Sequence, residues 1–257
     1  MRWTILIIGM ISFMAKADWE PSEISDPGDI YRQAVTDREK GNYAEALIKH
    51  IWFHENVLEI EPSYAGVRLL YNLDEWSILA KEYPQARLAL QKEAEKSRTD
   101  IIEGPDCDTH AFHDFTSINT YLDSTQNTVE LFIWLDGKRP KKAKRVFNLA
   151  FSDLLVAERY QLLDKYVNPE KRLKNIKQMY RMSLKDSSDP KIGQEMKEYA
   201  EQYFTYNVGA LVSILVNTNK QKEAKKVVNS SKGKLNSDMY ESVIGNALNG
   251  KPPVKWP

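Results

Sequence analysis

The stretch EKGNYAEAL, residues 39–47, decides how the rest of the chain is interpreted. It places Gly41 after one helical pattern, then Tyr43, and then Ala46 in the first turn of the next pattern. A glycine just past a helix end allows the chain to reverse, and a small residue lets two helices cross closely. The stretch therefore predicts a hairpin of two antiparallel helices.

The same pattern returns further along the chain. AKEYPQARL (80–88) repeats the tyrosine and the alanine at the same spacing, as Tyr83 and Ala86. Two later segments, 136–150 and 217–228, place an alanine at the start of an apolar helical stripe. We find no run in which apolar and polar residues alternate between turns, as they would in a half-buried strand. The sequence therefore predicts an all-α protein.

Helical periodicity, capping residues and prolines give approximate helix boundaries. Two loops are expected at 98–107 and 184–189, and the proline-rich residues 249–257 are expected to form an extended tail. The predicted helices are 29–40, 43–60, 63–82, 84–97, 108–122, 125–136, 140–165, 169–184, 190–217, 220–230 and 237–248.

These hairpins resemble the tetratricopeptide repeat (TPR), a stacked pair of helices. Gly41, Tyr43, Ala46 and Pro62 fit its turn, its small crossing residue and the proline after its second helix. Ala46 and Pro62 are about one helical turn further apart than in that repeat, and the Trp-Leu-Gly signature of its first helix is absent. The resemblance implies a TPR-like α-α superhelix, a short right-handed solenoid, over residues 18–248.

Two longer segments, KHIWFHENVLE (49–59) and FHDFTSINTYL (112–122), are similar to segments of exported bacterial helical-repeat proteins. This second resemblance covers roughly residues 39–150, and it implies no particular activity.

Residues 1–17 have the pattern of a secretory signal peptide. Arg2 supplies the positive start, the apolar run ILIIGMISFM covers 5–14, and Ala15-Lys16-Ala17 has the small-x-small form of a cleavage site. No second apolar run of about eighteen residues follows. We therefore expect an exported protein, periplasmic or secreted, with no transmembrane segment after cleavage.

Charge is unevenly distributed, although the whole chain has a formal net charge of zero. Residues 18–137 carry a net charge of −14, and residues 138–185 carry +10. A polarised charge distribution affects association and solubility rather than fold. It favours binding of an acidic partner to the basic segment, or self-association between opposite charges of two copies.

The run KRPKKAKR (138–145) is basic enough to suggest nucleic-acid binding. Its charges surround Ala143 and lead into Val146 and Phe147, which is typical of a solvated helix start above a buried stripe. Aromatic residues that would stack on bases are not interleaved with the cations. We therefore expect no nucleic-acid partner.

The four histidines and the single cysteine form two sequence clusters. His50 and His54 are four residues apart, which places them on one helix face within reach of a shared metal ion. Candidates for a further ligand are Cys107, His110, His113, Asp106, Asp108 and Asp114. On a helix Cys107, His110 and His113 fan over about 120°, so one ion could use two of these three but not all of them. The His-Glu-x-x-His order of a zinc peptidase is absent.

A structural interpretation of His50 and His54 is favoured over the metal site. On a helical wheel both fall in the centre of the apolar stripe, so we expect them to point into the protein. Each buried ring then needs a hydrogen-bond partner, which we expect to be a carboxylate or a tyrosine, with Glu61 on the same stripe. His113 is expected near the polar face of its helix, where it is suited to contacting a ligand. A half-exposed histidine capped by a nearby aspartate or Ser117 is the favoured interpretation.

No phosphate-binding glycine loop, nucleophile elbow or paired-carboxylate motif is present. The sequence therefore predicts a scaffold that binds a protein or peptide partner, without catalysis and without a cofactor. The alternative is a metal-binding or metal-dependent protein with His50, His54, His110 and Cys107 as candidate ligands. The candidate binding residues are His50, His54, His113, Asp114, Tyr64, Arg68 and Trp76.

Overall fold

The computed structural model describes residues 19, 26–104, 109–186, 192–233, 235 and 237–254. The predicted signal peptide and Cys107 lie outside these residues. The described chain is helical and contains no strand, so the prediction of an all-α protein is confirmed. Contacts divide the chain into two compact units, Met1–Glu95 (unit 1) and Lys96–Pro257 (unit 2).

The described residues of unit 1 form four α-helices, one 3-10 helix and the first part of a fifth α-helix. Helix α5 begins in unit 1 and ends in unit 2. The elements are α1 (Pro27–Glu39), α2 (Tyr43–Ile60), the 3-10 helix (Pro62–Tyr64), α3 (Ala65–Leu69), α4 (Tyr71–Glu82) and α5 (Pro84–Glu103).

Unit 2 continues with eight further helices in the described ranges. They are α6 (Thr109–Tyr121), α7 (Thr125–Lys138), α8 (Pro140–Val156), α9 (Tyr160–Tyr166), α10 (Pro169–Asp186), α11 (Gly193–Asn217), α12 (Gln221–Ser231) and α13 (Asp238–Leu248). None of the helices within the described ranges has both the length and the apolar character needed to cross a membrane.

The hairpin predicted from residues 39–47 is present as α1 and α2, which pack against each other. The Asp26 side chain caps α1 by accepting a hydrogen bond from the Gly28 amide at 2.8 Å. Gly41 has a φ of 81°, in the left-handed region that glycine adopts without steric cost. Ala46 is fully buried, as expected for a small residue where helices cross.

The structure corrects two long helices predicted from the sequence. The segment 63–82 begins with a 3-10 turn and breaks at Leu70, the cap residue between α3 and α4. The segment 140–165 breaks between Val156 and Tyr160, where Glu158 has a φ of 55°. Neither break coincides with a proline or a glycine, the residues that most often mark a helix end in a sequence.

The prediction of a loop at 98–107 is wrong for its first part, because α5 continues to Glu103. Polar residues dominate this stretch, but Leu90, Ala94, Ser97 and Ile101 are all buried and recur at spacings of four, three and four. That spacing keeps one helix face in the interior for the whole length of α5. The remaining residues of the expected loop, 105–107, are outside the described ranges.

Helix α11 is the centre of unit 2, and it packs against α9, α10, α12 and α13. Every residue from Phe204 to Leu215 is buried. The start of the predicted tail also contacts this helix, since the Asn217 side-chain amide donates to the Gly250 carbonyl oxygen at 2.7 Å. Residues 251–254 form no regular element.

Alanine substitutions of two glycines, one on each of the facing helices α11 and α13, are expected to change the free energy of unfolding in opposite directions. A Cβ atom on buried Gly209 would lie 2.6 Å from Val243 Cγ1, whereas a Cβ on exposed Gly245 would meet nothing within 4 Å. We expect Gly209→Ala to lower the free energy of unfolding by about 1–3 kcal/mol through overpacking. Gly245→Ala should raise it by roughly 0.5–1 kcal/mol through helix propensity.

Urea unfolding followed by far-UV circular dichroism measures both variants. Equal effects of the two substitutions would show that α11 and α13 do not approach each other as closely as described.

Candidate functional site

Four of the predicted binding residues lie together inside unit 1. His50 and His54 on α2, Arg68 on α3 and Trp76 on α4 are all buried. The inward direction predicted for the two histidines is therefore confirmed. Because these side chains are covered by the protein itself, they form part of its interior. Tyr64 is half-buried beside them.

His50 is held by Asn72. The His50 Nδ1 atom lies 2.8 Å from Asn72 Oδ1, and the Asn72 amide donates to the His50 carbonyl oxygen at 3.3 Å. Since an amide oxygen only accepts hydrogen bonds, Nδ1 carries the proton and donates. The Nε2 atom of this neutral ring is buried without a partner among the described residues.

Burial lowers the pKa of His50 to about 4, against an ordinary value of 6.5. The hydrogen bond to Asn72 opposes this shift, and the nearby positive charge of Arg38 adds to it. His50 is therefore neutral at physiological pH in the folded protein.

His54 is held by Arg68. The Arg68 Nε atom donates to the His54 carbonyl oxygen at 2.5 Å, and Nη2 lies 3.2 Å from His54 Nε2. A guanidinium group only donates, so the Nε2 atom of His54 accepts this hydrogen bond. Arg68 thereby links α3 to the backbone and to a side chain of α2.

Trp76 packs against both imidazole rings. Its ring is nearly parallel to that of His50, with centroids 6.2 Å apart, and nearly perpendicular to that of His54, at 6.1 Å. The indole Nε1 atom donates to the Ala86 carbonyl oxygen on α5 at 3.1 Å. We refer to His50, His54, Arg68, Asn72 and Trp76 as the histidine cluster.

Two ion pairs lie beside the histidine cluster. Lys49 pairs with Asp37, and the Arg38 Nη2 atom lies 3.0 Å from a carboxylate oxygen of Glu75. Both pairs are mostly shielded from solvent and join α1 to α2 or α4. The polar groups of the cluster therefore connect the helices of unit 1.

The structure corrects the prediction of which groups hydrogen-bond to the two histidines. Glu61 is exposed and caps the 3-10 helix by accepting a hydrogen bond from the Ser63 amide at 3.2 Å. An amide and a guanidinium take the place of the expected carboxylate or tyrosine. Asn72 was missed by the sequence analysis, although it precedes Trp76 by four residues and so shares its inward helix face.

The metal alternative gains no support from the described residues. They contain no group of three histidine, cysteine or acidic side chains that could hold a metal ion. His110 and His113 are exposed on α6, and Asp114 is half-buried there. These three belong to unit 2 and the His50–His54 pair to unit 1, while Cys107 lies outside the described residues.

The break between α3 and α4 exposes two large side chains, which we call the Leu70–Tyr71 step. Leu70 is 60% exposed and Tyr71 is 63% exposed. In sequence the step lies between Arg68 and Trp76, which are both among the candidate binding residues predicted from the sequence. The segment that contains Arg68 and Trp76 therefore exposes apolar surface, but at Leu70 and Tyr71 rather than at the residues predicted to bind.

Unit 2 has an open pocket of about 670 Å³ beside α10, which the sequence analysis did not identify. We call it the α10 pocket. Its cationic side chains lie three and four residues apart on α10, at Lys174, Lys177 and Arg181. Glu170 and Gly233 also line it. Its apolar lining consists of Leu173, Tyr180, Leu184 and Phe204.

Arg172, also on α10, lies over the ring of Phe151, with its guanidinium carbon 3.5 Å from the ring centroid. Its Nη2 atom donates to Asn207 Oδ1 at 3.4 Å. No carboxylate in the described part of the chain forms an ion pair with it. Burial lowers the pKa of Arg172 to about 10. The cation therefore joins α10 to α8 and α11 through stacking and one long hydrogen bond.

Comparison of the chain with protein-family models, with curated proteins and with solved structures finds no match.

Proposed function

We propose that this chain is an exported, TPR-like helical scaffold that binds a protein or peptide partner and performs no catalysis. The helical hairpins of each unit support this proposal, because stacked helix pairs present extended surfaces that bind partners. The sequence pattern of residues 1–17 supports export. The TPR-like superhelical arrangement and the partner are both part of the proposal.

The exposure of the Leu70–Tyr71 step is the main support for partner binding. Single exposed apolar residues are ordinary, but here two large ones are adjacent and both are more than half exposed. They follow a helix break, so no neighbouring turn of a continuous helix covers them. Tyrosine is also enriched in protein interfaces because its ring is apolar and its hydroxyl forms hydrogen bonds.

Replacement of the step by serine should remove partner binding and leave the fold intact. We expect the Leu70→Ser/Tyr71→Ser variant to lose at least about tenfold in affinity, which corresponds to about 1.4 kcal/mol or more for two interface anchors together. The measurement begins with site-specific photo-crosslinking from position 71 in the exported fraction of the source cells. It continues with titration of the purified crosslinked partner against both proteins.

Leu88→Ser is the matched control, because Leu88 is 58% exposed in the same unit and lies away from the step in sequence, on α5. It should bind the partner as the unmodified protein does. Equal loss of affinity in the control and the double variant would contradict the assignment of the step. Absence of any crosslinked protein would contradict partner binding at this site.

A further inference from the structure

Helix α10 lines the pocket with two kinds of side chain, one cationic and the other apolar. Lys174, Lys177 and Arg181 occupy positions i, i+3 and i+7, so they form a stripe about 10 Å long on one side of α10. Leu173 and Leu184 lie on the adjacent side of the same helix, and both are only partly buried. A row of cations therefore borders apolar surface that remains accessible.

The cations of this stripe are not neutralised by neighbouring carboxylates. No acidic side chain within the described ranges forms an ion pair with Lys174, Lys177 or Arg181. The Nε atom of Arg181 donates only to a backbone oxygen, that of Lys177, at 3.3 Å. Glu170 is the acidic residue in the lining, so the described side chains around the pocket carry a net charge of +2.

Two aromatic residues of the core belong to the lining of the pocket. Phe204 and Tyr180 are buried, with ring centroids 4.7 Å apart, and they belong to the main apolar core of unit 2. Gly233, which also lines the pocket, has a φ of 72° and open space where a Cβ atom would be. The pocket thus lies over the core of unit 2, and no side chain at position 233 narrows it.

The volume of the α10 pocket favours a small molecule over a protein as its ligand. A space of about 670 Å³ is in the range of sites for small molecules, which extends from about 300 to 1,000 Å³. A stable protein interface instead needs about 800 Å² of surface on each partner. The pocket is therefore suited to a compact ligand with one anionic end and one apolar end.

We propose that the α10 pocket binds a single-chain fatty acid, with its carboxylate at Lys177 and Arg181 and its acyl chain over Leu173 and Leu184. Carboxylate recognition by a lysine and an arginine uses charge-assisted hydrogen bonds, and burial of the acyl chain supplies most of the affinity. This site lies in unit 2 and is independent of the Leu70–Tyr71 step.

Calorimetric titration of the full chain with decanoate tests the proposal. We expect saturable binding of about one decanoate per chain, and we expect no binding of acetate at the same concentrations, since acetate has the charge without the acyl chain. The variant Lys177→Gln/Arg181→Gln should bind decanoate about tenfold more weakly. The pocket-filling variant Leu184→Trp should lose most of the binding.

Lys171→Gln/Lys222→Gln is the matched control for charge. Both lysines are exposed in unit 2, neither lines the pocket, and their replacement removes the same two positive charges. This control should bind decanoate as the unmodified protein does, and thermal melting should confirm that every variant is folded.

Three results would overturn the proposal. One is the absence of saturable decanoate binding, and another is equal weakening in the control and in Lys177→Gln/Arg181→Gln. The third is a helical peptide of glutamate and leucine that displaces decanoate and binds more tightly to the same residues. That result would make the pocket a docking site for an acidic protein segment.

Discussion

Trp76→Ala should lower the free energy of unfolding by about 3–5 kcal/mol, the range for truncating a large buried aromatic residue. Trp76 is fully buried and contacts both imidazole rings, and it donates a hydrogen bond to the α5 backbone. Its removal would leave a cavity at the point where α2, α4 and α5 meet. Urea unfolding followed by circular dichroism measures the loss.

Trp76→Phe separates ring packing from the hydrogen bond. Phenylalanine keeps most of the aromatic contact but cannot donate to Ala86, so we expect a loss of only about 1–2 kcal/mol. Hydrogen exchange should locate the effect of Trp76→Ala in α2 and α4. A cost below about 1 kcal/mol for Trp76→Ala would contradict the interior position of the indole.

Acid should destabilise the protein through His50. In the unfolded chain this residue binds a proton near its ordinary pKa of 6.5, but in the folded protein it does so only near a pKa of about 4. Between these values the unfolded chain binds more protons, so the free energy of unfolding falls as the pH falls. Full stability is present above pH 6.5, and His50 should account for a loss of about 3 kcal/mol by pH 4.

The difference in unfolding free energy between the unmodified protein and His50→Gln isolates this effect, because the other titrating groups are common to both. Glutamine keeps an N–H donor for Asn72 but has no proton to bind in this range. The variant should be less stable at pH 7, and the difference should shrink by about 3 kcal/mol between pH 7 and pH 4. Parallel pH profiles for the unmodified protein and His50→Gln would refute a neutral, buried His50.

Local patterns in the sequence were sufficient to predict the first helical hairpin. The bounds of α2 and the turn at Gly41 follow from periodicity and from one glycine, and the wheel position of His50 and His54 predicts their burial. These features depend on neighbouring residues alone. The same local signals failed at Leu70 and Glu158, because the two helix breaks carry no local breaker residue.

Contacts between distant residues could not be predicted in the same way. Asn72 reaches His50 from twenty-two residues away, and it does so only because α3 and α4 are separated by the break at Leu70. The α10 pocket combines residues of α10 with Phe204 and Gly233, which are far apart in the chain. A single sequence shows which residues share a helix face, but it does not show which faces meet.

Helix α11 constrains the order in which unit 2 can be completed during synthesis. Its residues from Phe204 to Leu215 are buried on all sides, so this helix has no face suited to water. Some of the covering side chains, Tyr240 and Ile244, belong to α13, which is made later than α11. A ribosome-bound chain that ends before α13 would therefore expose the middle of α11, and such a nascent chain is a natural substrate for chaperones.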